Sequence, residues 1–203
     1  MGRSETKELI RRAARERFLN EGYGNSSLRS IAADAGVDVA LISYYFGSKR
    51  GLFNAAMSLT VNPAEMVEVA LEGDLETLPT RMLRGLLAVW DDPASGAPLL
   101  ALLRAAATDP AVGRLTAEAV EQGIVIPLAD GIGGEDALRR AASLSAQLSG
   151  VILSRYLLRV EPIASMTADE VVEALEPSLA RTLSGTAEPA LGGRRKVAGP
   201  KRR

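Results

Sequence analysis

The side chains that could do chemistry in this sequence are limited in kind. With no His and no Cys in 203 residues, imidazole bases, thiolate nucleophiles, zinc-type ligand sets and Ser-His or Cys-His dyads are all absent. Carboxylates, cations and hydroxyls remain. Asp91 and Asp92 are adjacent acids, but they precede Pro93, where capping the next helix accounts for them. Gly131-Ile132-Gly133-Gly134 lacks the spacing and preceding strand of a phosphate loop and reads as a turn. No catalytic residue, metal site or cofactor is expected, and an enzyme is the least supported class.

The chemistry that the spacing does support is recognition of nucleic acid. Ala32 is small where two helices would cross, Gly36 follows in a turn that needs positive φ, and Ile42 lies beneath the next helix. An ordinary helical corner also favours Ala and Gly, but Ile31, Val37 and the basic flank agree with a DNA-binding helix-turn-helix. Its second helix presents Val39, Ala40 and Leu41 near its start, where base edges lie and where small apolar side chains suit thymine methyls. Arg29 is placed to reach a guanine edge or a phosphate, the alternative being a solvated arginine. Ser27 and Lys49 stand at helix starts, whose backbone N–H groups favour phosphate. Tyr45 is expected at a phosphate. Tyr44 fits a contact or the core equally, and Phe46, without a polar handle, fits the core.

These residues need helices to position them, and the composition supplies them. Apolar residues make up 47% and aromatic ones 4%, with 32 Ala and 28 Leu, so the expected fold class is all-α. Ile10, Ala14 and Phe18 mark a first helix ending near Gly22 to Gly24. Ser26 or Ser27 caps a second, Asp38 a third through about Tyr44, and Ser48 a fourth running toward Pro63 or a little beyond. Further helices are expected over 75–91, 95–107, from Asp109-Pro110, over 135–160, and after a Thr167/Glu170 capping box, with Pro177 kinking or restarting the last. The chain divides into 1–55, which carries the DNA-binding pattern, a helical 56–185, and 186–203 as a disordered basic tail. Residues 1–55 hold 9 Lys+Arg against 6 Asp+Glu, 56–188 hold 9 against 19, and the last fifteen hold 6 against none, so both ends are basic around an acidic middle.

In the second domain Met82, Leu86, Trp90, Leu102, Leu103 and Arg104 lie on segments able to line an apolar pocket with one charged group, against plain core packing with Arg104 on the surface. A small apolar or amphipathic ligand is the expected partner. No uncharged stretch exceeds 14 residues, the length of Ala141 to Ser154, short of the ~18 of a membrane span. No leader pattern opens the chain, and a cytoplasmic location is expected.

The run Ser27-Leu28-Arg29-Ser30-Ile31-Ala32-Ala33-Asp34-Ala35-Gly36-Val37, followed by Tyr45-Phe46-Gly47-Ser48-Lys49-Arg50-Gly51-Leu52-Phe53, strongly resembles the DNA-binding domain of TetR-family (tetracycline-repressor-like) regulators. The resemblance covers about residues 5 to 55. It implies a homodimeric repressor on a palindromic operator of double-stranded DNA, released when a small molecule enters a larger helical domain. The chain has Ala40 where the family often has Gly, and Ser43 where it often has Tyr, leaving only a short hydroxyl there for the DNA. Residues 135–183 are expected to form the dimer contact, with Ala141, Ala142, Ala146 and Gly150 allowing close approach. The fourth helix is expected to carry the signal, with Leu52, Ala56 and Leu59 gripping the first domain and Met57 and Val61 facing the second. The alternative is a DNA-binding protein whose second domain takes a protein partner or no effector.

Overall fold

A computed structural model describes residues 3–185, so the tail expected over 186–203 lies outside the described residues. Among them every regular element is helical. The first unit comprises α1 (Arg3–Asn25), α2 (Leu28–Ala35), α3 (Val39–Phe46) and α4 (Lys49–Ala56). Ile10, Ala14 and Phe18 repeat every four residues along α1 and are fully buried. At Gly22 α1 leaves helical geometry (φ 85°), and Tyr23 then lies 5.7 Å from the Phe18 ring and 5.3 Å from the Phe53 ring.

Three of these helices have only eight residues each, too few to be stable alone. Caps and a shared core hold them. Ser27 Oγ accepts the Ser30 N–H (3.0 Å) while Ser30 Oγ accepts the Ser27 N–H (3.1 Å), a reciprocal box that settles the choice between Ser26 and Ser27. The Ser26 hydroxyl instead donates to Gly22 O at 2.7 Å. Asp38 and Ser48 cap α3 and α4 through the N–H groups of Ala40 and Gly51, and Ile31, Ala32, Ile42, Leu52 and Phe53 close the core against α1.

The expected long fourth helix is not observed. α4 stops at Ala56, Ser58 turns through φ 59° and the Leu59 N–H returns to Asn54 O at 2.8 Å. Asn62 then caps a separate helix, α5 (Pro63–Leu71); a Pro that cannot donate inside a helix, behind a good capping residue, is the physical cause. Met57, expected to face the second domain, is buried in the first core.

The second unit continues with α6 (Leu78–Asp91), α7 (Pro93–Thr108), α8 (Pro110–Val120), α9 (Ile126–Ile132), α10 (Ala137–Ile152) and α11 (Ala168–Ser184). The chain bends by 92° between α6 and α7. Asp92 and Asp109 accept from the N–H groups of Ala94 and Ala111 in helices that begin with Pro, as the Asp-Pro pairs suggest. Thr167 and Glu170 form the expected box. α11 runs through Pro177 as one helix instead of restarting there; Pro177 and Glu173, whose carbonyl loses its donor, are both exposed, a setting in which water can replace the missing bond.

Leu78, Leu83, Leu87, Leu128, Leu144 and Val171 are fully buried in the second core. Ala141, expected at the dimer face, belongs to that core, whereas Ala142, Ala146 and Gly150 are exposed beside Leu138 and Leu153. The two cores meet at α8, which packs on α1 and inserts Leu115 into the first cluster. Among the described residues no single helix is long and apolar enough to cross a membrane.

Candidate DNA-binding face and ligand cavity

The turn between α2 and α3 has the geometry that its spacing calls for. Gly36 is left-handed (φ 65°, ψ 35°) and the Val37 N–H reaches Ala32 O at 3.0 Å. Ala32 and Ile42 are buried in the same cluster, so α3 lies across α2 with its outer face free. Along that face Val39 is 37% and Tyr44 63% exposed, with Ala40 and Ser43 also open to solvent. Tyr44 is therefore a surface residue. Leu41, Tyr45 and Phe46 are half-buried against the core, and Tyr45 meets Tyr44 edge-on at 5.1 Å. Arg29 is exposed near the start of α2.

Ser27 and Lys49 are less free than the sequence suggests. Both polar groups of Ser27 are engaged with Ser30, leaving other first-turn N–H groups of α2 for an anion. Lys49 turns inward: its ammonium stands 4.5 Å over the Tyr23 ring and donates to Gly24 O at 3.4 Å. Burial lowers its pKa, opposed by the Glu118 carboxylate on α8. Glu118 also accepts the Gly24 N–H at 3.2 Å. Two cations not singled out in the sequence border α3 instead, Arg3 at 5.3 Å from the Tyr44 ring and Lys7 at 5.8 Å from the Phe46 ring. Their i, i+4 spacing on an exposed helix face was the available signal.

Beneath α4 lies a cavity of about 250 Å³. Met82, Leu86 and Trp90 line it as expected, as do Leu102 and Leu103. Arg104 does not: it is exposed and outside the lining, because each helical residue is rotated ~100° from the last and two leucines already face inward. Arg50 and Arg81 are the cations of the wall. Arg81 is held by Ala70 O, Asp74 O and the Thr77 hydroxyl, while Arg50 pairs with Glu68 of α5 at 2.6 Å. Trp90 lies 5.3 Å from the Tyr156 ring. The Tyr156 hydroxyl donates to Asp91 at 2.9 Å and is pushed well above the usual phenol range, first by burial and then by that bond. Tyr23, Arg50, Phe53 and Asn54 bring the first unit into the same wall. No spacing in the sequence marks them as ligand-lining, since they belong to the unit read as DNA-binding. The acids Asp91 and Asp92 serve a tyrosine and a helix start, and among the described residues no three acidic side chains converge where a metal could sit.

Comparison with known proteins agrees with this architecture. Residues 10–56 match the family described as bacterial regulatory proteins, tetR family, and residues 76–183 match the tetracyclin repressor-like C-terminal domain. Similar solved structures include a TetR-family regulator from Streptomyces coelicolor, 31% identical over 91% of this chain and 97% of that one, with a TM-score of 0.49. A putative transcriptional regulator from Pseudomonas aeruginosa is 23% identical over 91% of this chain and 93% of its own, with a TM-score of 0.50. A second Streptomyces coelicolor regulator is 23% identical over 89% and 99%, also with a TM-score of 0.50. No curated protein matches the chain. With both family domains in order on one chain, a left-handed glycine in the helix-turn-helix and an exposed α3, the protein belongs to the TetR family of DNA-binding transcriptional regulators.

Proposed function

We propose that this regulator is a homodimeric repressor of the cytoplasm that holds a palindromic operator through α3 and is released when a small apolar or amphipathic molecule fills the cavity. The observation that carries this reading is that one cavity wall is built from both units, Phe53 and Asn54 of α4 facing it together with Met82 and Trp90 of α6. An occupant therefore touches the DNA-binding unit directly, and no long lever is needed. The exposed stripe of Leu138, Ala142, Ala146, Gly150 and Leu153 on α10 supports self-association, since an apolar helix face of this kind fits an isologous four-helix contact.

The test is reciprocal linkage. A ligand found by thermal shift and followed through Trp90 fluorescence is expected to bind more weakly in the presence of operator by the same factor that it weakens operator binding, ~1–3 kcal/mol of coupling. Equal ligand affinity in both states would favour a second domain that serves a protein partner. Sedimentation is expected to give a dimer at micromolar concentration.

Arg29→Ala separates reading from positioning. Loss of a bidentate guanine contact costs about 1–3 kcal/mol and relaxes one operator position. Competition assays on point-substituted operators check it; an equal loss on random DNA reassigns Arg29 to phosphate.

A further inference from the structure

We propose that the cavity takes a small organic anion, a carboxylate on an apolar body, with its charged end held by Arg50. The proposal rests on the reading of this cavity as the effector site. Its wall contains Arg50 and Arg81 but no Asp or Glu. A cationic ligand would lose its hydration there without gaining a counter-charge, whereas an anion would meet a guanidinium.

The two arginines are not equivalent. Arg81 is committed to three oxygen acceptors. Arg50 spends only Nη1, on Glu68, in a pair whose side chains are 39% and 50% exposed, and such pairs hold weakly. Its Nε and Nη2 remain for a carboxylate, in the planar fork that matches one.

Neighbouring groups complete the polar end. Arg50, Phe53 and Asn54 fall at i, i+3 and i+4, on one face of α4, and all three line the cavity. The Tyr23 hydroxyl and the Asn54 amide share this wall, and neither makes a hydrogen bond to another described residue. Arg50 lies near enough to Tyr23 to oppose the rise that burial imposes on its hydroxyl pKa. Leu86, Val89, Trp90, Leu148 and Ile152 supply the apolar remainder. The volume of about 250 Å³ falls just below the ~300–1,000 Å³ of drug-sized sites, which limits the body to a short chain or a single ring system.

Octanoate, octanol and octylammonium present one body with three charges. Titrated against the full chain and followed by Trp90 fluorescence, octanoate is expected to bind at least tenfold more tightly than octanol, with octylammonium weakest. The octanoate preference should shrink as salt rises. Arg50→Gln should erase it while octanol affinity stays within about twofold, and Arg50→Lys should restore part of it. Octylammonium binding as tightly as octanoate, a preference unmoved by both salt and Arg50→Gln, or no binding of any of the three at millimolar concentration overturns the proposal. The same titrations in the presence of labelled operator keep the two readings apart. If octanoate binds with the expected preference but leaves DNA bound, the anion site stands and ligand-driven release fails.

Discussion

Phe18→Ala is expected to abolish DNA binding at 25 °C by melting the first unit. Phe18 is fully buried and joins α1 to α4: its ring lies 5.7 Å from Tyr23 and 5.5 Å from Phe53, with Ile10 and Ala14 beside it on α1. Truncating such a ring costs about 3–5 kcal/mol, transfer and cavity terms together. A unit of this size has roughly 3–8 kcal/mol of total stability at the usual increment per residue. The loss is therefore comparable with the whole, and caps without an intact core cannot hold helices of eight residues. Far-UV circular dichroism on heating, with Trp90 emission reporting separately on the second unit, should show an early transition absent from the parent. A single melt within 1 kcal/mol of the parent would contradict the role given to this ring.

The first unit was readable in the sequence because its signals are local. Asp38, Gly36 and Ser48 act on backbone groups within four residues, and Ile10, Ala14 and Phe18 need only helical periodicity to be recognised as a stripe. The break after α4 was local too, but Asn62-Pro63 was read as part of a continuing helix. The cavity wall was legible only in part. Met82, Leu86 and Trp90 repeat on one face of α6 and were found lining the cavity, whereas Arg50 and Tyr23 enter the wall through a fold that packs α1 on α4 and α8 and brings Arg50 to Glu68 of α5, which no spacing within either segment reveals. Arg104 was misplaced for the same reason: charge type suggested a ligand partner, and only the orientation of α7 shows that it points outward. Lys49 sits where a phosphate contact is expected, yet an aromatic face 4.5 Å away and a carbonyl from α1 draw it inward.

Gly51→Ala is expected to damage operator binding by a different route, through collision. A Cβ at this position would stand 2.1 Å from Phe46 O and 3.3 Å from its carbonyl carbon. Both are backbone atoms at the end of α3, so no side chain can swing away. Alanine favours a helix over glycine by about 0.8–1 kcal/mol, but overpacking against fixed atoms costs about 1–3 kcal/mol and sometimes more, so the net sign is destabilising. The larger consequence is geometric. Relief comes only by moving the end of α3 away from α4, which tilts the helix carrying Val39, Ala40 and Tyr44. Operator affinity is expected to fall at least tenfold while Trp90 emission and the second-unit melt stay unchanged. Fluorescence anisotropy with labelled operator checks this, and undiminished affinity would show that the corner yields at no cost.

α8 crosses the boundary that chain order suggests. It places Leu115 in the core of the first unit and gives the Glu118 carboxylate to the Gly24 N–H beside the break in α1. The DNA-binding half is thus not a portable module. A chimera that joins residues 1–57 to a foreign effector domain leaves an unfilled apolar site on α1 and an untied amide next to Lys49, unless its host supplies a leucine and an acid one helical turn apart. Exchange of parts between regulators of this kind is constrained by that pair on α8 at least as tightly as by the sequence at the join.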